Sequence, residues 1–508
     1  MAIERARAMP RPRPLVLGPA LALALACGEA TSPGAAMDVD TGTSTGAALS
    51  STTEPTLDLP PPPSTSDADT TTTGIEPPLP DLGVDLPPTQ PPPPIQRFVD
   101  VTAAAGLSLD AGPFMIPPFC LLAAVYDSPG ERGYCIPERF LGAAAVGDYD
   151  RDGWPDVYLT RMDGPGWLMR NRGDGTFEDV AASVGLVHAE PVGGAAWLDV
   201  EGDGDLDLLL TSFGGFRHHL YVSDRAGGGT GFTEQAQARG LDVKTDSVHV
   251  GMGIAVGDYD RDDHVDVFVA DWRNPIVLGP GQQHNRLLHN RGAADPGRFD
   301  DVTFAMGLDL EAVTLAVAGT PGAYGFAPAF VDLDDDGFPE LTLAADFGTS
   351  RLWWNEGGLS LTDLTFESGV GTERNGMGST FGDYDGDGDL DWFVSAIETP
   401  EFPQLGNRMY RNEGGRQLLD VTDGLGLRDG GWAWGTAFMD LEHDGDLDLA
   451  LAAGWPSTPF YADPVRIWRN DDPAGPWPDR AAALGVVFAR QGRGLVPLDY
   501  DRDGDLDL

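Results

Sequence analysis

The chain has 508 residues, and its 80 acidic against 32 basic side chains give it a formal charge of −48. A field of that sign repels phosphate backbones and anionic headgroups, which excludes nucleic acid as a partner and makes cations the natural one. The length suits several ordinary domains or one large repeat architecture, and three cysteines with no CxxC or Cys/His grouping are too few for a disulfide-dense scaffold or a zinc site.

Residues 1–26 read as a signal peptide, with Arg5, Arg7, Arg11 and Arg13 ahead of an apolar run from Leu15 to Ala26. That run is shorter than the roughly 20 apolar residues a membrane span needs. Ala24-Leu25-Ala26-Cys27 resembles a bacterial lipobox, so Cys27 is expected to be lipidated and to become the mature N-terminus. The expected location is the bacterial envelope or surface, with membrane contact only through the N-terminal lipid; a plain secreted protein is the alternative. Residues 27–96 carry that cysteine and then Pro, Thr, Ser, Asp and Gly, including Pro60 to Pro63 and Pro91 to Pro94, and they lack periodic apolar content. Such a segment cannot bury enough surface to offset its ordering entropy and reads as a disordered spacer.

Residues 97–508 repeat seven times, with two signatures alternating. The first is an aromatic residue or Leu, any residue, usually Asp, usually Val-Thr, then Gly followed by Leu or Val, as in Phe98 to Gly106-Leu107 and Phe177 to Gly185-Leu186. It returns from Phe232, Phe299, Leu361, Leu418 and Trp477 with identical spacing. Between the first two signatures lies the longest insertion, which holds Cys120 and Cys135, and an exported chain favours a disulfide between them worth about 3 kcal/mol in the chain-entropy model.

The second signature is Asp-x-Asp-x-Asp-Gly-x-x-Asp. In the first loop it supplies Asp148, Asp150, Asp152 and Asp156, with Gly153 at the turn and the carbonyl of Trp154 at position 7. The second loop has Asp199, Glu201, Asp203, Asp205 and Asp207, and the third Asp258, Asp260, Asp262, His264 and Asp266. The fourth has Asp332, Asp334, Asp336, Phe338 and Glu340, and the fifth Asp383, Asp385, Asp387, Asp389 and Asp391. The sixth has Asp440, Glu442, Asp444, Asp446 and Asp448, and the seventh Asp499, Asp501, Asp503, Asp505 and Asp507.

Calcium takes six to eight oxygens at about 2.3–2.6 Å, and a nine-residue turn with carboxylates at positions 1, 3, 5 and 9 and a carbonyl at 7 can wrap it. Up to seven ions are expected. Two carboxylates about 4 Å apart repel by about 4 kcal/mol at an effective dielectric of 20, so a bare acidic turn is the poorer reading. Magnesium suits the loops less, because it demands strict octahedral geometry. An EF-hand fails because position 12 of the first loop is Leu159 and the flanks are short β-rich runs. Asp263 stands where the other loops have Gly, which predicts that the third loop is the least regular and the weakest.

The loops are flanked by runs such as Asp156-Val-Tyr-Leu and Leu168-Met-Arg-Asn171, giving four short strands per unit. The expected fold class is therefore all-β: a seven-bladed β-propeller with its last blade incomplete, since the seventh unit stops at Leu508, just after its loop. These residues resemble the FG-GAP, or VCBS, repeats of integrin α-like propellers, and among them the bacterial proteins similar to cartilage acidic protein that often end in an ASPIC/UnbV domain. The resemblance covers residues 98–508 and implies a seven-bladed propeller with calcium between blade strands, used in adhesion or extracellular recognition; this chain lacks the ASPIC/UnbV region.

The expected function is a non-enzymatic cell-surface binding or adhesion module that recognises an extracellular protein or carbohydrate. None of the eight histidines sits in HExxH or beside a nucleophile motif, and the adjacent pair His218-His219 is read as an exposed turn. Trp272, Trp432 and Trp434 are read as blade packing rather than ligand contacts. The alternatives are a polysaccharide-active hydrolase or lyase on the propeller, which rests on fold analogy alone, and a calcium-dependent self-associating matrix component.

Overall fold

A computed structural model of the chain describes residues 97–109, 142–161, 164–188, 191–213, 217–244, 249–272, 285–308, 310, 322–398, 405–455, 459–488 and 491–508. The signal peptide, Cys27, the linker through residue 96 and the Cys120/Cys135 pair lie outside these residues.

The described residues fold as an all-β propeller. In the first blade β1 (Ala144–Gly147), β2 (Asp156–Leu159), β3 (Trp167–Asn171) and β4 (Phe177–Asp179) form an antiparallel meander in chain order. The second blade repeats it with β5 (Val192–Leu198), β6 (Asp207–Ser212), β7 (His219–Ser223) and β8 (Phe232–Glu234). Three further four-stranded sheets follow, opening at Gly251–Gly257, Gly325–Val331 and Gly376–Gly382. The sixth sheet has three strands, Ala433–Met439, Asp448–Ala453 and Arg466–Trp468.

The expectation of seven blades is corrected to six sheets. The seventh repeat supplies only isolated bridges, Trp468 with Asp479 and Leu498 with Asp507. By register with Asp448–Ala453, its second strand would begin at Asp507, which leaves too few residues to pair a ladder. The repeat nevertheless occupies its place in the ring. In six of the seven signatures the first residue's N–H donates to the carbonyl just before the preceding signature's Gly: Phe177 to Ala105, Phe232 to Val184, Leu361 to Met306, Leu418 to Ser368 and Trp477 to Leu425. Phe98 closes the series on Leu484 at 2.8 Å, joining the N-terminal signature to the last repeat.

These signatures are legible as local chemistry. In the third, fourth and fifth blades their Asp accepts the Thr N–H two residues on and pairs with an Arg from the adjacent strand, as Asp301 does with Thr303 (3.1 Å) and Arg286 (3.1 Å). Their Gly needs the left-handed region: Gly185 has φ 88°, and a Cβ there would lie 2.8 Å from the Phe232 carbonyl of the next blade.

The core is a series of seams between neighbouring sheets. The second strand of the second to sixth blades is buried along its whole length, because each sheet has a neighbour on both faces. Tyr158 and Leu168 of the first blade pack on Leu208, Tyr221 and Phe232 of the second, and Trp354 of the fourth packs on Trp392 and Tyr410 of the fifth. Ile467 of the sixth packs with Leu484, Leu495 and Leu506, while Met169 and Phe177 of the first meet Leu107 and Tyr500. In a meander the first-to-second and third-to-fourth connections share one edge of the sheet. The acidic loops of the six sheets therefore stand on one face of the propeller, and the second-to-third connections on the other.

Candidate metal loops

The seven acidic loops have one backbone design. The position 1 carboxylate accepts the position 6 N–H at 2.6–3.1 Å, from Gly153 on Asp148 through to Gly504 on Asp499. The position 5 carboxylate accepts the position 7 N–H at 2.8–3.1 Å, from Trp154, Asp205, His264, Phe338, Asp389, Asp446 and Asp505. The position 9 carboxylate accepts the position 2 N–H at 2.7–3.3 Å, folding the loop back onto the start of the second strand.

Two backbone positions are left-handed. Position 6 is Gly in six loops; in the third, Asp263 adopts the same conformation at φ 67°, so that loop keeps the common shape at a steric cost. Position 4 was not singled out in the sequence, yet Arg151, Gly202, Arg261, Asp335, Gly386, His443 and Arg502 there all have φ between 55° and 74°. Its mixed composition hid the requirement.

Position 9 does a second job that the sequence only hinted at. Its other oxygen accepts the N–H of the residue at the end of the third strand or, for Asn470, two residues past it: Asn171 on Asp156, Ser223 on Asp207, Asn290 on Asp266, Asn412 on Asp391 and Asn470 on Asp448, at 2.7–2.8 Å, and Asn355 on Glu340 at 3.4 Å. The closing Asn then reaches across the seam with its side-chain amide to the position 2 carbonyl of the preceding loop, as Asn290 does to Val200 at 3.0 Å and Asn412 to Leu333 at 2.8 Å. The recurrence of Asn at this offset was the available signal.

Burial and mutual repulsion both weigh on the loop carboxylates. Burial first, and then repulsion from Asp150 and Asp152, pushes Asp156 up to about 7 against the pull of its backbone hydrogen bonds. Asp391 rises to about 7, and Glu340 to about 8, for the same reasons. Asp207 rises to about 8 and Asp448 to about 7 by burial, with Glu201 and Glu442 beside them adding to the effect. Asp260 and Asp507 rise to about 6, again by burial first.

The donor set fits calcium. Asp260 Oδ1, Asp332 Oδ1, Asp334 Oδ1, Asp385 Oδ1 and Glu442 Oε2 are buried carboxylate oxygens with no hydrogen-bond partner, spread over the third to sixth loops. Carboxylate oxygens that converge within 4.8 Å, as in the sets Asp258/Asp260/Asp262 and Asp199/Glu201/Asp207, are hard donors of the kind that could hold a hard divalent ion.

The histidines depart from expectation. His218 and His219 are not an exposed turn: they are 0% and 5% exposed, with His218 turned toward His249 beside the third blade and His219, at the start of β7 and on the opposite face, stacked with His188 and Tyr221 where the first and second blades meet. His218 Nδ1 accepts the Ser212 N–H at 3.1 Å, its ring lies 4.4 Å from that of His249, and His249 Nδ1 is 2.7 Å from Asp271 Oδ2. Trp272 and Trp434 are buried, and Trp432 stacks on Trp455 at 4.4 Å, as blade packing requires.

A family model described as "FG-GAP-like repeat" matches residues 148–210 and 332–394, each beginning at the first Asp of a loop and ending in the second strand of the next blade. This chain carries FG-GAP-like repeats. The FG-GAP-like region is also similar to cartilage acidic protein 1. The Xenopus tropicalis protein is 27% identical over 204 residues, covering 39% of this chain and 28% of that protein. The human protein is 31% identical over 231 residues, covering 44% of this chain and 31% of that protein. The matches thus span under a third of the length of these relatives. Among solved structures, the Vibrio cholerae biofilm matrix protein Bap1 is 12% identical with a TM-score of 0.31, covering 55% of this chain and 38% of that one, a likeness too slight to bear on the fold.

Proposed function

We propose that this chain is an exported calcium-binding propeller that serves as a cell-surface binding or adhesion module. The observation that carries the calcium part is the set of buried, unpartnered carboxylate oxygens in the third to sixth loops, held where each blade meets its neighbour. Bound calcium supplies fixed positive charge there, and nothing else. The residues do the rest: Asp385 and Asp387 present oxygens to the ion, Asp391 ties the loop to Asn412, and Asn412 ties it to the fourth loop's strand. A ring stiffened on one face leaves the second-to-third connections of the opposite face free to vary and to meet a protein or carbohydrate. The relatives, named for an acidic protein of cartilage, support an extracellular setting, and the arginine-rich start followed by the apolar run to Cys27 supports export.

The test is attachment of cells displaying the full chain to protein- and polysaccharide-coated surfaces, with and without a calcium chelator. Attachment that needs both the chain and calcium supports the module. Equal attachment by cells lacking the chain contradicts it.

A further inference from the structure

The first loop is the most regular match in the sequence, yet its oxygens are already committed. Asp148 accepts from Asp152 and Gly153, and Asp156 from Tyr149 and Asn171. One oxygen of Asp150 accepts the Asp152 N–H and one of Asp152 accepts the Trp154 N–H. The two that remain are taken by one guanidinium: Arg170 Nε donates to Asp150 Oδ2 at 2.6 Å and Nη2 to Asp152 Oδ2 at 2.9 Å. We propose that Arg170 takes the place of the cation in the first loop, so that this loop is closed by an internal positive charge and does not take up calcium.

The inference rests on the calcium reading of the other loops, and the fifth loop shows why the two differ. Its sequence, Asp383 to Asp391, fits as well, and Arg411 occupies the place of Arg170. Arg411 Nε, however, stays 4.0 Å from Asp385 Oδ2 and instead donates to Glu413 at 2.7 Å, leaving Asp385 Oδ1 buried without a partner. The diverting acid is two residues on. In the first blade that position is Arg172, which pairs with Glu178 at 2.5 Å and cannot draw Arg170 away. A planar fork matches two carboxylates geometrically, whereas a calcium ion needs those same oxygens at contact distance, so the two cations exclude one another. Between these two blades, the residue after the closing Asn, acidic in the fifth and basic in the first, is what separates an arginine drawn off the loop from one seated in it.

The test counts calcium bound to the full chain by equilibrium dialysis at millimolar free calcium. R170Q is expected to bind one ion more than the natural chain, and R170Q/D150N to lose it again. R172E, which keeps Arg170 but offers it less reason to stay on the loop, should also gain one and guards against a folding defect in R170Q. D150N alone should leave the count unchanged, while D385N lowers it by one. A loss of one ion in D150N, or no gain in both R170Q and R172E while D385N still loses one, overturns the role of Arg170. No bound calcium at all, with D385N without effect, overturns the calcium reading beneath it and this inference with it.

Discussion

The side-chain amide of Asn171 donates to the backbone carbonyl of Tyr500 at 2.8 Å, joining two residues 329 positions apart. Tyr500 is position 2 of the seventh loop, and its N–H is held in turn by Asp507. The same bond links Asn290 to Val200, Asn355 to Tyr259, Asn412 to Leu333 and Asn470 to Tyr384. Order in a loop and order at a seam are thus one property. The last repeat closes the ring through this bond although it forms no sheet.

Asn412 is a direct probe of that coupling. It is 1% exposed, and replacing it with Ala leaves the Leu333 and Leu390 carbonyls without their donor. The expected loss is about 2 kcal/mol, read from urea denaturation at constant m-value. Ser223 holds the same place in the second blade but makes only a 3.4 Å contact with the Arg225 N–H, so S223A should cost less than about 0.5 kcal/mol. Equal effects of the two variants would mean that the amide does not hold the seam.

Backbone conformation gives a pair of opposite effects. Gly185→Ala places a Cβ at φ 88° and 2.8 Å from a carbonyl that cannot move without its blade, and should destabilise by more than about 1 kcal/mol. Asp263→Gly relieves a non-glycine residue at φ 67° and should stabilise the calcium-free protein by up to about 1 kcal/mol. Thermal melts of both variants in chelator decide the matter; a drop for Asp263→Gly would show that its side chain contributes more than its backbone costs.

Asp346 supplies a pH signature independent of the loops. Full burial pushes its carboxyl up to about 7, although the Trp272 indole N–H donates to it at 2.9 Å. In the unfolded chain it ionises near the usual value of about 4. Folding therefore retains the proton between these values: the stability it contributes is fully present below about pH 4 and is lost as pH rises through 7. D346N, neutral throughout, should match the natural chain near pH 4 and exceed it by an amount that grows to a few kcal/mol at most by pH 8. A difference that does not change with pH would contradict the assignment.

The sequence exposed what repeats and concealed what differs between repeats. The spacing of Phe-x-Asp-Val-Thr to Gly-Leu is legible because each residue has a fixed local task, as Asp301 and Gly185 show. The acidic loops are legible for the same reason. The seam contacts were not, because they join different repeats: His218 and His219 look like a polar turn in the chain and become buried only when the second blade meets its neighbours, His218 against His249 and His219 against His188. Arg170 and Arg411 are indistinguishable until the partner two residues on is weighed. The tolerance of position 4 for Arg, His, Asp and Gly alike hid a left-handed turn common to all seven loops.

The most direct measurement is a calorimetric calcium titration of the full chain, with far-ultraviolet circular dichroism and thermal melting recorded before and after chelation. Several bound ions, together with a loss of strand signal or a clear fall in melting temperature on chelation, are what metal-stapled seams require. Binding of no calcium at millimolar concentration, with the melt unchanged by chelator, would contradict the account.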